Sequence, residues 1–257
     1  MKKRYTFSTA VSVVLTLTCV LPFLYVVVRS FLTTRGGFTL SYYYDVFLAQ
    51  SQYLLRFWKS LFLSLFIAAG QLAISVLAGY GFAKCKFPGK NVIFFLLMIL
   101  MIMPLQVTLV PNYIMLDEMG LLNTYYALAL PMIFVPLGTF IMTQSFRAVP
   151  DEIIDAAKLD GCGIIGILTR VVSPMSKSGL ICTMLLSFLD GWNMVEQPIT
   201  FLEDFDKYPI SVALASVPPQ DPTVQLVCCI LVALPPLFLF AYFNRELVEG
   251  IALGKEK

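Results

Sequence analysis

Five stretches of this chain contain no Asp, Glu, Lys or Arg: residues 5–28, 60–83, 91–116, 119–146 and 222–244. A helix rising 1.5 Å per residue needs about 20 residues to cross about 30 Å of hydrocarbon, and each stretch meets that length. A charge at mid-bilayer costs about 2.5–3.5 kcal/mol on the insertion scale, so five such gaps point to a chain that lives in lipid. A sixth span is expected at 175–190, where Ser178 to Leu189 is uncharged and Lys177 must snorkel to the surface. The expectation is an all-α polytopic membrane protein with six transmembrane helices. It is a single domain over 1–257, with spans at about 8–29, 60–83, 91–111, 124–146, 175–190 and 223–244.

The few charges then orient it. Lys and Arg near span ends favour the cytoplasmic side. One side collects Lys2, Lys3, Arg4, Lys84, Lys86, Lys90, Arg147, Lys158, Arg170, Lys177, Arg245, Lys255 and Lys257, which is 13 of the 18 basic residues. The other holds Arg29, Arg35, Arg56, Lys59 and Lys207, together with nine acids that include Asp117, Glu118, Glu203, Asp204 and Asp206. Both termini are therefore expected in the cytoplasm, an arrangement that requires the sixth span. The basic start before an apolar run reads as a signal peptide or a retained anchor. The lack of a small-x-small site after Val28, and the five further spans, favour the anchor.

The chain has no histidine, so His-dependent triads and His-ligated zinc or haem are excluded unless a partner supplies the residue. Six cysteines form no CxxC and imply neither a disulfide framework nor a metal site. Prolines at 104, 111, 131, 136, 235 and 236 punctuate the spans. They suit either the broken helices of a transport pathway or the general tolerance of membrane helices for proline.

The longest cytoplasmic loop, 147–174, contains VPDEIIDAAKLDGCGIIG from Val149. Pro150 suits a first helical position, Asp151 and Glu152 favour the positive end of the helix dipole, and Gly161 is placed to end the helix in a left-handed conformation. Ile153, Ile154 and Ala157 share one face. Taken by themselves, these residues describe a short amphipathic helix that either rests on lipid or offers Ala156, Ala157, Asp155 and Asp160 to a second protein.

At this point the sequence resembles a known family. DAAKLDG at Asp155 to Gly161, followed by Pro174, is similar to the Glu-Ala-Ala-x-x-x-Gly signature (EAA motif) of binding-protein-dependent ABC importer permeases. AGYGFAKCKFPGKN (Ala78 to Asn91) resembles that family's A-Y-x-x-A-R-x-x-F-x-G pattern. PLQVTLVPNY, GLLNT, LALP, GTFIMTQSFRAVPDE, GWN and YFNRELVEGIALGK follow in the family's order. The likeness covers nearly the whole chain and is to the maltose-type, carbohydrate-uptake class, in particular its MalG-like subunit. Two departures stand out: the signature Glu is Asp155, one methylene shorter, and Met194 follows Trp-Asn where an acid is usual.

The resemblance implies a type I importer permease in a bacterial cell membrane. Pro150 to Cys162 would form a coupling helix for a cytoplasmic ATPase, with Glu152, Asp155, Ala156, Ala157, Asp160 and Gly161 at the contact. The chain has no GxxxxGK[ST] loop, so ATP and Mg²⁺ would be handled by two partner ATPase subunits and the chain itself would not be an enzyme. A homologous second permease (MalF-like) and an extracellular solute-binding lipoprotein are the other implied partners. The outer loop 190–222 would meet that lipoprotein through Phe201, Asp204, Phe205 and Tyr208, unless it is simply an acidic solvated loop. Tyr42 to Tyr44 suit an aromatic belt better than a sugar-stacking site. A carbohydrate is the expected cargo, an oligosaccharide its expected form, with a glycerol phosphate or polyol as the alternative. An ion-coupled secondary transporter is the alternative class. It would need ionisable groups within the spans, and the five long gaps contain none.

Overall fold

Two of the long apolar stretches break beside a proline, at Pro104 and at Pro136. The computed structural model describes residues 2–32, 37–44, 46, 51–214 and 222–252, and these are helical almost throughout. Arg35, Asp45, Asp221, Lys255 and Lys257, used in sorting the charges, lie outside the described residues. Helix α1 is Lys2–Ser30, α2 Ser41–Tyr44 and α3 Ser51–Lys84. In α3, 34 residues without a proline make a rod about 51 Å long.

The third apolar stretch is two helices, α4 (Lys90–Ile102) and α5 (Leu105–Glu118), bent 103° at the break. Met103 and Pro104 are both extended, with ψ of 125° and 145°. A residue preceding proline is pushed out of the helical region, and the proline then opens the next helix. The same logic separates α6 (Tyr125–Ile133) from α7 (Pro136–Arg147), since Val135 before Pro136 has ψ of 129°. Here the two halves remain one 23-residue span, and buried Gln71 donates from Nε2 to the Val135 carbonyl at the break at 3.2 Å.

After α8 (Asp151–Leu159) and α9 (Ile164–Ile167), residues Leu168–Val172 widen into a π-turn before α10 (Ser173–Met175). Pro174 has no N–H for the Arg170 carbonyl, which removes one rung of the ladder there. The segment Ile164–Met175 then meets α11 (Lys177–Trp192) at 85°. Short helices α12 (Glu196–Phe201) and α13 (Ile210–Ala213) precede the last helix, α14 (Pro222–Ala252), which departs from helical geometry at Phe243. Among the described residues, four helical segments are long and apolar enough to span a membrane, and six if each bent pair counts as one.

The centre of the bundle is α3, against which α7 and α11 pack most closely, while α14 packs against α11 and reaches α3 where Tyr53 Oη donates to the Cys228 carbonyl at 3.1 Å. Small residues make the close approach possible, as is usual where lipid leaves no hydrophobic force between helices. A Cβ on Gly138 would land on Ser75 Oγ, one on Gly179 on Ser145 Oγ, and one on Gly79 would lie 2.7 Å from Met142 Cβ. Pro236 withholds the N–H that would bond the Val232 carbonyl, and fully buried Trp192 fills the vacancy from α11 with an Nε1 bond of 3.0 Å. In contrast, no residue of the most apolar window of α1 is buried, and among the described residues α1 packs chiefly along α14. Tyr43 of α2 is tied to Ser30 at its C-terminus by a 2.8 Å hydroxyl pair.

Candidate functional site

The chain offers two polar constructions, one at each end of the bundle. The first is α8, which is amphipathic in a restricted sense. Ile154 and Ala157 are buried in a cluster with Tyr80, Met142, Phe146, Val149, Ile167, Leu168 and Val172, which joins the ends of α3 and α7 to the π-turn. Ile153, expected on the same face, is 38% exposed, because the buried edge is only two side chains wide. Pro150 is extended and sits just before the first turn rather than in it.

Of the residues expected to meet an ATPase, Glu152, Asp155, Ala156, Asp160 and Gly161 are exposed and Ala157 is buried. Leu159, Ile164 and Ile165, which the sequence reading did not single out, are 90%, 68% and 78% exposed beside them. The result is an open strip of acidic, small and apolar groups around the end of α8.

The end of α8 is closed by a Schellman turn. Gly161 has φ of +81°, its N–H bonds the Lys158 carbonyl at 3.0 Å, and the Cys162 N–H bonds the Ala157 carbonyl at 3.0 Å. The small residue at 161 thus has a definite cause: the turn needs a left-handed backbone, which glycine adopts without a Cβ penalty. Asp155 pairs with Lys158 at 2.8 Å, one turn along, and this pair holds the Lys158 ammonium above its ordinary value.

The beginning of α8 is held from outside. Lys84, the last residue of α3, donates to the Val149 carbonyl at 2.6 Å and to Asp151 Oδ1 at 2.7 Å. That hydrogen bond and the Lys84 charge keep the Asp151 carboxyl below the usual carboxylate value. In the sequence Lys84 is one of the basic residues of its side, and nothing local announces this contact. The only signal was its place in the AGYGFAKCKFPGKN segment.

At the opposite end the organiser is Asn123, in the GLLNT segment. Its φ of 58° is left-handed, a conformation Asn tolerates better than most residues. Its N–H bonds the Phe201 carbonyl at 2.8 Å, and its side-chain oxygen accepts from the Glu203 and Asp204 N–H groups at 3.3 and 3.2 Å. Its amide donates to Asp204 Oδ2 at 3.1 Å, and Lys207 Nζ bonds its carbonyl at 2.9 Å. The Lys207 and Asn123 side-chain bonds hold the Asp204 carboxyl below its ordinary value.

Arg56 adds a second clasp, 3.4 Å from Asp206 and 4.4 Å above the Phe205 ring. Of the four residues expected to contact a binding protein, Asp204 and Phe205 are exposed and Tyr208 is partly so. Phe201 is 2% exposed, inside a cluster with Leu63, Leu116, Leu128, Met132 and Leu202. It supports the loop from beneath and presents no face to a partner.

An all-helical polytopic bundle of this kind is the architecture of an ABC importer permease. Its backbone superposes with a TM-score of 0.83 on a chain of a bacterial ABC transporter involved in the import of the acidic polysaccharide alginate. The match covers 95% of this chain and 96% of that one at 18% identity. Residues 71–247 match the family described as "Binding-protein-dependent transport system inner membrane component", and the chain belongs to that family.

It is therefore a multi-pass inner-membrane permease, a transport component and not an enzyme. Transporters of this class work with an ATPase and a binding protein. Among individual relatives, the chain is 29% identical to the arabinooligosaccharides transport system permease protein AraQ of Bacillus subtilis, over 84% of this chain and 78% of that protein. It is 26% identical to the polygalacturonan/rhamnogalacturonan transport system permease protein YtcP of the same organism, over 94% and 93%. It is 27% identical to the sn-glycerol-3-phosphate transport system permease protein UgpE of Yersinia pestis, over 72% and 68%.

Proposed function

We propose that this chain is one permease of an ATP-driven carbohydrate importer, with an oligosaccharide as cargo, and that α8 is its coupling helix. The observation that carries the reading is the construction of α8. Two side chains root it in the bundle, a Schellman turn closes it, and the rest of its surface is open and fit to lie in a groove of a cytoplasmic ATPase. The acidic groups at Glu152, Asp155 and Asp160 suit a groove with basic edges, and Ala156 lets the partner approach closely. The relatives named for arabinooligosaccharides and for polygalacturonan/rhamnogalacturonan support a carbohydrate cargo. The relative named for sn-glycerol 3-phosphate keeps that solute as the second reading.

In this reading both termini and α8 face the cytoplasm, and the Asn123 end faces outward. The sister permease is homologous, MalF-like to this MalG-like chain, and supplies the other half of the path. Two ATPase subunits bind ATP and Mg²⁺. Their closure draws the two coupling helices together, and the bundles rock between inward-open and outward-open arrangements as rigid bodies. The solute-binding lipoprotein docks on the outer loop, with Asp204, Phe205 and Tyr208 in the contact and Phe201 beneath it.

The test is to purify the complex intact from its native membrane and identify by mass spectrometry the proteins and the solute that come with it. Recovery of an ATPase, a second permease and a carbohydrate-loaded binding protein is the expected result. Recovery of the chain alone refutes the assembly, and a glycerol phosphate on the binding protein refutes the cargo. A companion variant, Asn123→Ala, unhooks the 201–207 loop and is expected to lower ATPase stimulation by loaded binding protein while leaving basal hydrolysis unchanged.

A further inference from the structure

The Lys84 contact does more than cap a helix. Its side chain is 8% exposed, and its ammonium lies between the Val149 carbonyl at 2.6 Å and Asp151 Oδ1 at 2.7 Å. The carbonyls at the end of α3 are served by a different cation, since Lys90 Nζ donates to Cys85 O at 2.9 Å and Ala83 O at 3.4 Å. Lys84 is thereby left to reach out of its own helix. Val149 is itself buried in the cluster beneath α8. The ammonium consequently joins three things: the end of the bundle's longest proline-free rod, the turn leading into α8, and the first residue of α8.

The apolar root of α8 runs through Ile154 and Ala157 to the cluster shared with α7 and with Tyr80 of α3. Such apolar contacts resist separation but slide easily, because dispersion has little direction. A charge-assisted hydrogen bond is directional and short, and it fixes orientation as well as distance. Resting on the reading of α8 as the coupling helix, we propose that Lys84 is the positioning residue that carries movement of α8 into α3. The far end of α3, which bears Trp58 about 39 Å away, then answers events at the ATPase. In this role Lys84 need touch neither nucleotide nor cargo. It acts through Asp151 and the Val149 carbonyl alone.

The experiment places a trifluoromethyl-phenylalanine at Trp58 in one preparation and at Leu159 in another, within the full transporter in lipid nanodiscs. Fluorine NMR spectra are compared with and without ATP and vanadate. In the parent complex both positions respond. In Lys84→Met the Leu159 response is expected to persist and the Trp58 response to be lost, whereas Lys84→Arg, which keeps a donor fork for both oxygens, retains both. A parental Trp58 response in Lys84→Met overturns the proposal.

Should Lys84→Met fail to assemble, Asp151→Asn at an exposed side chain decides. A diminished Trp58 response supports the strut, and an unchanged one overturns it. Absence of any Leu159 response in the parent complex is a different failure, since it refutes the docking of α8 itself.

Discussion

Gly161 is the position at which the proposed coupling helix can be weakened by a known amount. Its φ is +81°, and no atom lies within 4 Å of the point a Cβ would occupy, so replacement meets no steric obstacle beyond its own backbone. Alanine there carries the left-handed penalty alone, about 1–2 kcal/mol, which corresponds to about 5- to 30-fold more frequent opening of the last turn of α8. Asparagine tolerates this conformation and is expected to stay near the parent. Proline fixes φ near −65° and removes the N–H that reaches the Lys158 carbonyl at 3.0 Å. It also throws Cys162 off the Ala157 carbonyl, so about 3 kcal/mol or more is lost.

The assay is hydrogen exchange of the peptide spanning α8 in the full-length chain reconstituted in lipid, followed by ATPase stimulation by loaded binding protein in the assembled transporter. Exchange is expected to quicken in the order Gly, Asn, Ala, Pro, and stimulation to fall in that order with membrane insertion unchanged. Equal exchange in all four, or asparagine as damaging as proline, refutes the Schellman argument. Normal stimulation of the proline variant refutes α8 as the coupling element.

Three other outcomes are expected. Gly179→Leu drives a side chain into Ser145 and is expected to cost at least about 1–3 kcal/mol, read as a lower thermal midpoint in detergent; an unchanged midpoint contradicts the close α7–α11 approach. Trp192→Phe strands the Val232 carbonyl at a cost of about 1–3 kcal/mol, and Pro236→Ala is expected to relieve much of that cost by restoring a helical N–H, a coupling measurable in a double-mutant cycle of unfolding free energies. Lys84 lowers the Asp151 carboxyl, so the pair's contribution is present above the unfolded carboxylate value and lost as pH falls through the depressed folded one. Protection at the start of α8 is therefore expected to be flat from about pH 5 to 8 and to drop only on strong acidification, a drop that Asp151→Asn abolishes.

The long helices were legible because a missing charge is a one-dimensional signal. The gaps at 5–28, 60–83 and 222–244 fall within α1, α3 and α14. The stretch 91–111 read as one span, yet Met103 and Pro104 turn it by 103°. The proline was visible, but a single proline is equally compatible with a mild kink, and the neighbours that choose between the two are not encoded nearby. Likewise 175–190 falls mostly on α11, while its 85° angle to the preceding segment arises at Ser176 and is stated by no local pattern.

At α8 the acidic first turn and Gly161 could be read directly, since capping is local chemistry. Lys84 meets Asp151 across 67 residues of sequence, and Asn123 meets Asp204 across 81; nothing short of the fold brings them together. Phe201 misled for the opposite reason. An aromatic residue in an acidic loop looks like a surface anchor until the cluster around Leu128 and Met132 is seen to enclose it.

The solitude of α1 has an evolutionary meaning. The interior helices are constrained atom by atom, as Gly138 against Ser75 and Gly179 against Ser145 show, so their sequences can change only in concert. The exposed window of α1 answers to a single sum, its total affinity for hydrocarbon, and many different strings of Val, Leu and Phe reach the same total. Such a helix is expected to vary more freely than α3, α7 or α11. The family match begins at residue 71, past all of α1 and past residues 51–70 of α3 as well, while α14 remains the neighbour along which α1 packs.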